Sequence, residues 1–291
     1  MDIHGKIIKY RTPQEIAKWL DSYSLSYNSI IVGALDDQNL NNSQYYSEYS
    51  MLENYISVSA IDSFWSNYET KETNNNLDVW NGTSLSAPTI TAIASILKTN
   101  YSSYFDKGSD SLIMKSALIA GSRNPQSFAD WKSNVNDNIY DEQKGFGSVK
   151  FDKVRESLKH IRYEKIHRDN TYNNPYKMAE FFYEPGKYRI NITWENKDSF
   201  ETRWVRTGLF SGETKYEHIG PVPVDFEIQT DWEGKKIPAK NYRNKYYEEQ
   251  KTNTKTIEIN LEKRGWYYFN LSLGDENRRS DLDVAFTYSK I

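Results

Sequence analysis

One short segment constrains the fold of this chain more than any other. It is a small-residue turn followed by a serine, a proline and an apolar run, and it reads Asn81-Gly82-Thr83-Ser84-Leu85-Ser86-Ala87-Pro88 before Ile90, Ile93, Ala94, Ile96 and Leu97. Proline is tolerated in the first helical turn, because the N–H that it lacks would have no partner there. The segment therefore predicts that Ser84 lies at or just before the start of a helix. The apolar run predicts that this helix is buried.

Ser84 is open to two interpretations. A serine at the start of a helix is most often an N-cap. The fixed positions Gly82, Thr83, Ser84, Ser86 and Pro88, however, resemble the nucleophile motif of the subtilases, the subtilisin-like serine proteases, which reads G-T-S-x-(S/A)-x-P. The resemblance implies that Ser84 is the nucleophile of an acyl-enzyme mechanism. It also implies that three neighbours shape the turn and the oxyanion site: Asn81, Gly82 and Thr83. The G-x-S-x-G elbow of an esterase does not surround Ser84.

The resemblance covers roughly the first 160 residues. Residues 29–36 resemble a family core strand, and their unbroken apolar centre is typical of a buried parallel strand. Residues 46–50, 54–60, 111–120 and 145–149 resemble the turn, strand, helix and G-x-G strand that the family places around its serine. A closing helix is expected over 151–160, with Val154 and Leu158 on one face. The implied fold is the C-terminal portion of an α/β, three-layer, parallel-sheet domain.

Three further parts of a subtilase active site are not found before Ser84. The family orders its catalytic residues Asp, His, Asn, Ser. His4 begins the one His-Gly pair, but Lys6 follows it, and about 80 residues leave little room for the strand–helix units that separate histidine from serine. Asp2 and Asp21 meet the same objection as triad acids. The sequence before Ser84 also contains no Gly-Asn pair. The asparagine whose side chain helps to stabilise the oxyanion in the family is therefore unassigned.

The remaining histidines, His160, His167 and His218, all follow the serine. Their use as a base would require another chain order, which convergent triads do show. The chain therefore resembles part of a longer serine endopeptidase that acts on a polypeptide substrate. An N-terminal fragment or a partner surface protein is expected to complete its active site, and the chain alone is expected to be nearly inert. The alternative is a catalytically inactive remnant that binds a protein or has a structural role.

Residues 170–291 differ in pattern from the first part. Short segments that alternate polar and apolar residues, separated by glycines, predict half-buried strands. They favour an antiparallel β-sandwich, jelly-roll-like, so that the expected domains are 1–165 and 170–291. The strand containing Asp281 and Asp283 resembles one in modules appended to secreted bacterial proteases. The two carboxylates share a face and fit either a structural calcium ion or a solvated strand start beside Arg278 and Arg279. Catalysis is expected to need no cofactor.

Composition excludes several classes of function. The net charge of −3 and the absence of a long basic cluster argue against nucleic acid as a partner. The chain has no cysteine and no apolar run long enough for a transmembrane helix. Aromatic residues make up 15% of the chain, which suits β-structure, with a sugar- or protein-binding face as the alternative. A secreted or cell-surface location is implied by the resemblance alone, since residues 1–10 lack a signal-peptide core. The Asn, Lys, Tyr and Ile bias resembles that of mollicutes, which have subtilase-like surface proteases.

Overall fold

The computed structural model describes residues 28–35, 56–61, 63–66, 78–81, 83–123, 139–140, 145–196, 200–208, 211–218, 222–229, 237, 240–241, 252–274 and 280–291. Within these ranges, strands predominate and form five sheets, and helices are few. The predicted turn at 46–50 lies outside the described residues.

The first part of the described chain contains a sheet of four strands, a strand pair and three α-helices. The sheet has the order β1-β2-β6-β5, with β1 at Val32–Leu35, β2 at Val58–Ile61, β5 at Ser122–Arg123 and β6 at Ser148–Val149. β1, β2 and β6 run parallel, and β5 is antiparallel to β6. The antiparallel pair is β3, Ser63–Ser66, with β4, Asp78–Asn81. The helices are α1, Thr83–Asn100, α2, Asp110–Ala120, and α3, Phe151–Lys159, and a 3₁₀ helix spans Ser102–Lys107.

These elements confirm the predicted strand within 29–36 and the predicted helices near 111–120 and 151–160. Val154 and Leu158 are both fully buried, as their shared helix face predicts. Gly145 has a φ of +61°, and a side chain there would meet the backbone oxygen of Ile56. Only glycine fits this approach, which lets Phe146 donate its N–H to the Ser57 carbonyl at 3.0 Å.

Helix α1 is amphipathic, and the prediction of a buried helix is wrong. Its buried residues are Ser86, Ile90 and Leu97, whereas Ile96 is 47% exposed. Ile90 and Leu97 are separated by two turns, so they form one apolar stripe against β1 and β2 while other positions face outward. The apolar segment from Ile90 to Leu97 contains enough apolar residues for a buried helix. Their spacing, however, places only one side of the helix against the sheet.

Residues 162–290 contain three antiparallel arrangements. A sheet of five strands has the order β13-β14-β9-β16-β7, with β7 at Arg162–Ile166, β9 at Gly186–Trp194, β13 at Lys240–Asn241, β14 at Thr254–Leu261 and β16 at Leu282–Lys290. A sheet of three strands has the order β12-β15-β8, with β8 at Tyr176–Phe182, β12 at Val224–Gln229 and β15 at Gly265–Leu273. The pair β10, Phe200–Arg206, and β11, Gly212–His218, forms a hairpin.

One aromatic-rich core joins the two larger sheets. Its largest fully buried side chains are Phe182, Trp194, Phe226, Phe269 and Phe286. Phe269 stacks on Phe226 with ring centroids 5.8 Å apart and meets Phe286 edge-on at 5.1 Å. The antiparallel strands predicted after residue 170 are therefore present. The boundary predicted between 165 and 170 stays a prediction, and β7, just before it, pairs with β16 beyond it.

The other face of the five-stranded sheet is polar and buried. Sequence alternation predicts half-buried strands here, but α2 and α3 cover the polar side as well. The following residues on this side are at most 2% exposed as whole residues: Arg189, Asn191, Thr193, Thr256, Thr287 and Ser289. The pattern gives the period of the strands correctly, but it cannot tell a solvated polar face from one covered by another layer. Helix α2 is in turn buried on all sides from Leu112 to Ala120.

Buried hydroxyl and amide groups join α2 to this polar face. Asn191 Nδ2 donates to Ser116 Oγ at 3.0 Å, and Ser116 Oγ lies 2.8 Å from Thr287 Oγ1. Asn191 Oδ1 accepts from Thr256 Oγ1 at 2.6 Å and from Thr254 Oγ1 at 2.9 Å. Since buried polar groups are costly unless paired, this network admits one register between helix and sheet.

Arg189 connects the sheet to the first part of the chain. Its guanidinium donates to the carbonyls of Ser122 at 2.5 Å and Phe146 at 2.7 Å. It also donates twice to Glu258 Oε1, at 2.9 and 2.7 Å, and its side chain is 3% exposed. Lys187 approaches the same carboxylate at 3.1 Å but is 52% exposed. Glu258 therefore has one buried and one solvated cationic neighbour.

This contrast gives a matched pair of variants. Arg189→Met should lower the free energy of unfolding by about 3–5 kcal/mol, because it leaves two buried carbonyls without their donor and Glu258 with only its exposed partner, Lys187. Lys187→Met removes an exposed partner of the same carboxylate and should cost less than about 1 kcal/mol. Denaturant unfolding of both variants measures the difference. Equal losses would contradict the role given to Arg189.

Lys115 on α2 is a buried cation at the same boundary. Its Nζ donates to Asn253 Oδ1 at 2.8 Å, and Asn253 Nδ2 donates to the Trp194 carbonyl at 2.6 Å. Burial lowers the pKa of the Lys115 ammonium from 10.5 to about 7. In the unfolded chain the ammonium keeps its ordinary pKa, so between these values the unfolded state binds more protons than the folded state. The contribution of Lys115 to stability therefore rises with pH across this window.

Replacing Lys115 by methionine, which is similar in length, should remove that pH dependence. Between about pH 7 and pH 10, the free energy of unfolding should rise less steeply in Lys115→Met than in the wild type, by up to about 1.4 kcal/mol per pH unit. Denaturant titrations at three pH values measure the two slopes. Parallel slopes would show that Lys115 keeps its proton in the folded state.

Candidate active site

Ser84 is the second residue of α1 and is exposed. The helix begins two residues after β4, whose last residue, Asn81, lies opposite Ser63 of β3. Ser86 is fully buried and donates its hydroxyl to the Ala60 carbonyl of β2 at 3.1 Å. This bond fixes the first turn of α1 near the carboxyl end of β2.

The structure separates the roles of the two motif serines. Two residues correspond to about 200° of rotation around a helix, so Ser84 and Ser86 face nearly opposite sides. Ser86 anchors the turn, while Ser84 is open to a substrate. The motif gives Ser86 as a small residue, and its spacing from Ser84 is the signal that marks it as the inward-facing one. The sequence prediction of Ser84 near the helix start agrees with this placement.

The start of α1 is suited to stabilise a negative charge. The N–H groups of the first helical turn, including those of Thr83 and Ser84, have no acceptors within the helix. Together with the helix dipole they give this end a partial positive charge. An oxyanion that forms on a carbonyl attacked by Ser84 would be stabilised there.

Pro88 is the sixth residue of α1, and the prediction of a proline in the first turn is wrong. The helix starts at Thr83, ahead of the proline. An alanine at this position would donate its N–H to the Ser84 carbonyl, and proline cannot. The Ser84 carbonyl therefore lacks its usual helical donor, and the proline ring must be accommodated against it. Local helix propensity is weakest at the turn that presents Ser84.

Pro88→Ala should stabilise the protein. It restores a helical hydrogen bond and removes a penalty of about 3 kcal/mol, and the greater freedom of the unfolded chain offsets part of the gain. We expect a net increase of about 2 kcal/mol in the free energy of unfolding. Thr91→Ala, at an exposed position one turn along α1, should change it by less than about 0.7 kcal/mol. A neutral or destabilising Pro88→Ala would mean that the helix bends to suit the proline.

The other predicted site residues are distributed as follows. Thr83 is the first residue of α1, and Asn81 ends β4. Gly82, His4, Asp2 and Asp21 lie outside the described residues. His218 is the last residue of β11, opposite Phe200.

Two histidines have side-chain partners in the second part of the chain. His160 stacks on Tyr288 with ring centroids 4.3 Å apart, and burial lowers its pKa below the ordinary value. His167 is exposed and places Nδ1 3.3 Å from Asp281 Oδ2. In the ranges that the structure describes, neither histidine is hydrogen-bonded to Ser84.

The candidate calcium residues are partly engaged already. Asp281 Oδ1 accepts the N–H of Arg168 at 3.0 Å, and Oδ2 faces His167. The Arg168 N–H lowers the pKa of this carboxyl. Among the described residues, no group of three or more His, Cys, Asp or Glu side chains is placed to hold a metal ion. Calcium binding at Asp281 and Asp283 stays a prediction.

Comparison with known proteins points to one family. The family model for the subtilases matches residues 12–147, just under half of the chain, and this span includes Ser84. No match is found among the curated proteins. A crystal structure of a protein from Sulfurospirillum deleyianum shares 16% identity over 45% of this chain and 97% of its own, with a TM-score of 0.25, which is too low to inform the fold. The described helices include none long and apolar enough to cross a membrane.

Proposed function

We propose that this chain is part of a subtilisin-like serine endopeptidase and that Ser84 is its nucleophile. The proposal rests chiefly on one observation: within the span similar to the subtilases, Ser84 is exposed in the first turn of α1. The residue of the motif that bonds inward is Ser86, whose hydroxyl donates to the Ala60 carbonyl, and this leaves Ser84 open to a substrate.

The chemistry follows from this geometry. Ser84 Oγ attacks the carbonyl carbon of a peptide bond while a base removes the hydroxyl proton. The carbonyl electron pair moves onto oxygen, where the first-turn N–H groups of α1 stabilise it. The tetrahedral intermediate collapses and expels the amine, which takes the proton from the base. Water then hydrolyses the acyl-serine ester by the same sequence of steps. Asn81, Gly82 and Thr83 shape the turn that holds Ser84 in place.

The acid, the base and the side-chain oxyanion donor are assigned to another polypeptide or to residues beyond those described. We propose an N-terminal fragment or a partner surface protein as their source, with a polypeptide as substrate and a secreted or cell-surface location. No cofactor takes part in these steps. Residues 170–291 would form a β-sandwich module that supports the peptidase part.

A fluorophosphonate probe tests the proposal, because it labels only a serine that a base has activated. The chain alone should be labelled weakly, since loss of triad members costs several orders of magnitude in rate. Labelling should rise when a polypeptide carrying the family motifs H-G-T-x-V-A and A-x-G-N is supplied. Ser84→Ala should abolish this labelling, and Ser95→Ala, at an exposed position on the same helix, should leave it unchanged.

Each other outcome has a definite meaning. Strong labelling of the chain alone at Ser84 would show that one of its four histidines is the base. Labelling that persists in Ser84→Ala would exclude Ser84 as the nucleophile. No labelling under any condition would favour an inactive remnant that binds another protein.

A further inference from the structure

The outer face of the three-stranded sheet is rich in exposed aromatic rings. The inner face of this sheet packs in the aromatic core, so alternate residues of β8, β12 and β15 point outward. At one end of the outer face, Trp266 lies opposite Phe181, and Tyr183 follows β8 directly. Tyr183 is 75% exposed and Trp266 is 54% exposed. The informative feature is that these rings are contiguous, because single exposed rings are common whereas clustered ones mark binding surfaces.

These rings are held in a fixed arrangement. The Phe181 ring meets Tyr183 at a centroid distance of 4.9 Å and Trp266 at 5.4 Å, and both contacts are edge-to-face. The β8–β15 pairing also fixes the backbone beneath them. A ligand would therefore meet aromatic surfaces that need no ordering on binding, which lowers the entropic cost of association.

Hydrogen-bonding groups continue the strip toward its other end. Gln229 lies opposite Tyr268, and Glu227 lies opposite Asn270 on the neighbouring strand. A shallow pocket of about 180 Å³ is lined there by Tyr172, Pro175, Glu227, Gln229, Asn270 and Ser272. Tyr172 is 67% exposed. Along β8 the strip from Lys177 to Tyr183 extends about 20 Å at the usual rise per residue.

The chemistry of this strip selects among ligands. Apart from the rings, its one outward aliphatic side chain on the described strands is Ala179, so the surface around the rings is polar and suits a ligand with many hydroxyl groups. On the described strands its one outward basic side chain is Lys177, and the carboxylate of Asp225 is already paired with the nearly buried Lys255 at 3.2 Å, so the strip lacks the positive charge that a nucleic acid or a sulfated chain needs. What remains is exposed rings beside amide, carboxylate and hydroxyl groups.

We infer that this face, formed by β8, β15 and β12, binds a neutral glycan chain. The C–H faces of sugar rings pack on Trp266 and Tyr183, and their hydroxyls exchange hydrogen bonds with Gln229, Asn270 and Glu227. The extended strip fits several linked sugars rather than one. The inference does not depend on Ser84, because the face belongs to a different sheet from the one next to α1. A bound glycan would keep the chain near glycan-bearing surfaces or substrates.

Affinity electrophoresis of the full chain tests the inference. Native gels contain dextran, hydroxyethylcellulose or galactomannan as the neutral probes, with heparin and gelatin as the charged and polypeptide probes. We expect at least one neutral probe to slow migration. Trp266→Ala and Tyr183→Ala should each weaken that interaction about tenfold, as judged from migration against probe concentration.

Trp204→Ala is the matched control. Trp204 is 62% exposed, like Trp266, but it lies on the β10 hairpin outside the three-stranded sheet. The Trp204→Ala protein should bind the neutral probe as the wild type does. Circular dichroism should show that the Trp266, Tyr183 and Trp204 variants are all folded. Asn270→Ala is a second variant at the polar end and should also weaken binding. Retardation by heparin or gelatin alone, by none of the probes, or equally in Trp266→Ala and the wild type would overturn the inference.

Discussion

The structure depends on the burial of one polar sheet face beneath α2. Asn191, Thr256 and Thr287 hydrogen-bond with each other or with Ser116 where no water competes. Such groups contribute little stability when fully paired, but leaving any of them unpaired is expensive. The network therefore acts mainly as a constraint on how α2 is aligned along the five-stranded sheet. Between apolar surfaces a helix could shift by a fraction of a turn at little cost, whereas here a shift would break the hydrogen bonds of buried groups.

That constraint reaches the candidate active site through a series of hydrogen bonds and neighbouring residues. Arg189 donates to the carbonyls of Ser122, the first residue of β5, and of Phe146, two residues before β6. The Gly147 carbonyl accepts the N–H of Ser59 in β2 at 2.9 Å. The carbonyl of the next residue of β2, Ala60, accepts a hydrogen bond from the hydroxyl of Ser86. Ser86 lies two residues after Ser84, on the opposite side of the helix. The position of the candidate nucleophile is thus supported by a sheet that is remote from it in sequence.

The sequence predicts local features better than it predicts what covers them. The helix start at Ser84 and the strand at 29–36 follow from turn chemistry and apolar runs, which are properties of neighbouring residues, and the helices near 111–120 and 151–160 follow from the resemblance to the subtilases. The polar face around Asn191 was misjudged because alternation reports the period of a strand and not the layer that covers it. The place of Pro88 was misjudged for a related reason. Anchoring by Ser86 lets the helix begin at Thr83, and that bond to Ala60 is a tertiary contact.

The helix that carries Ser84 is weak by itself. It buries few side chains, and Pro88 removes a hydrogen bond from the turn that matters most. Packing and the Ser86 anchor must therefore hold that turn in place, since helix propensity opposes it there. Such an arrangement suits a nucleophile, because tertiary contacts hold the first-turn N–H groups where an oxyanion would form. The first turn of α1 thus presents Ser84, and the sheets beneath it supply the contacts that keep the turn in place.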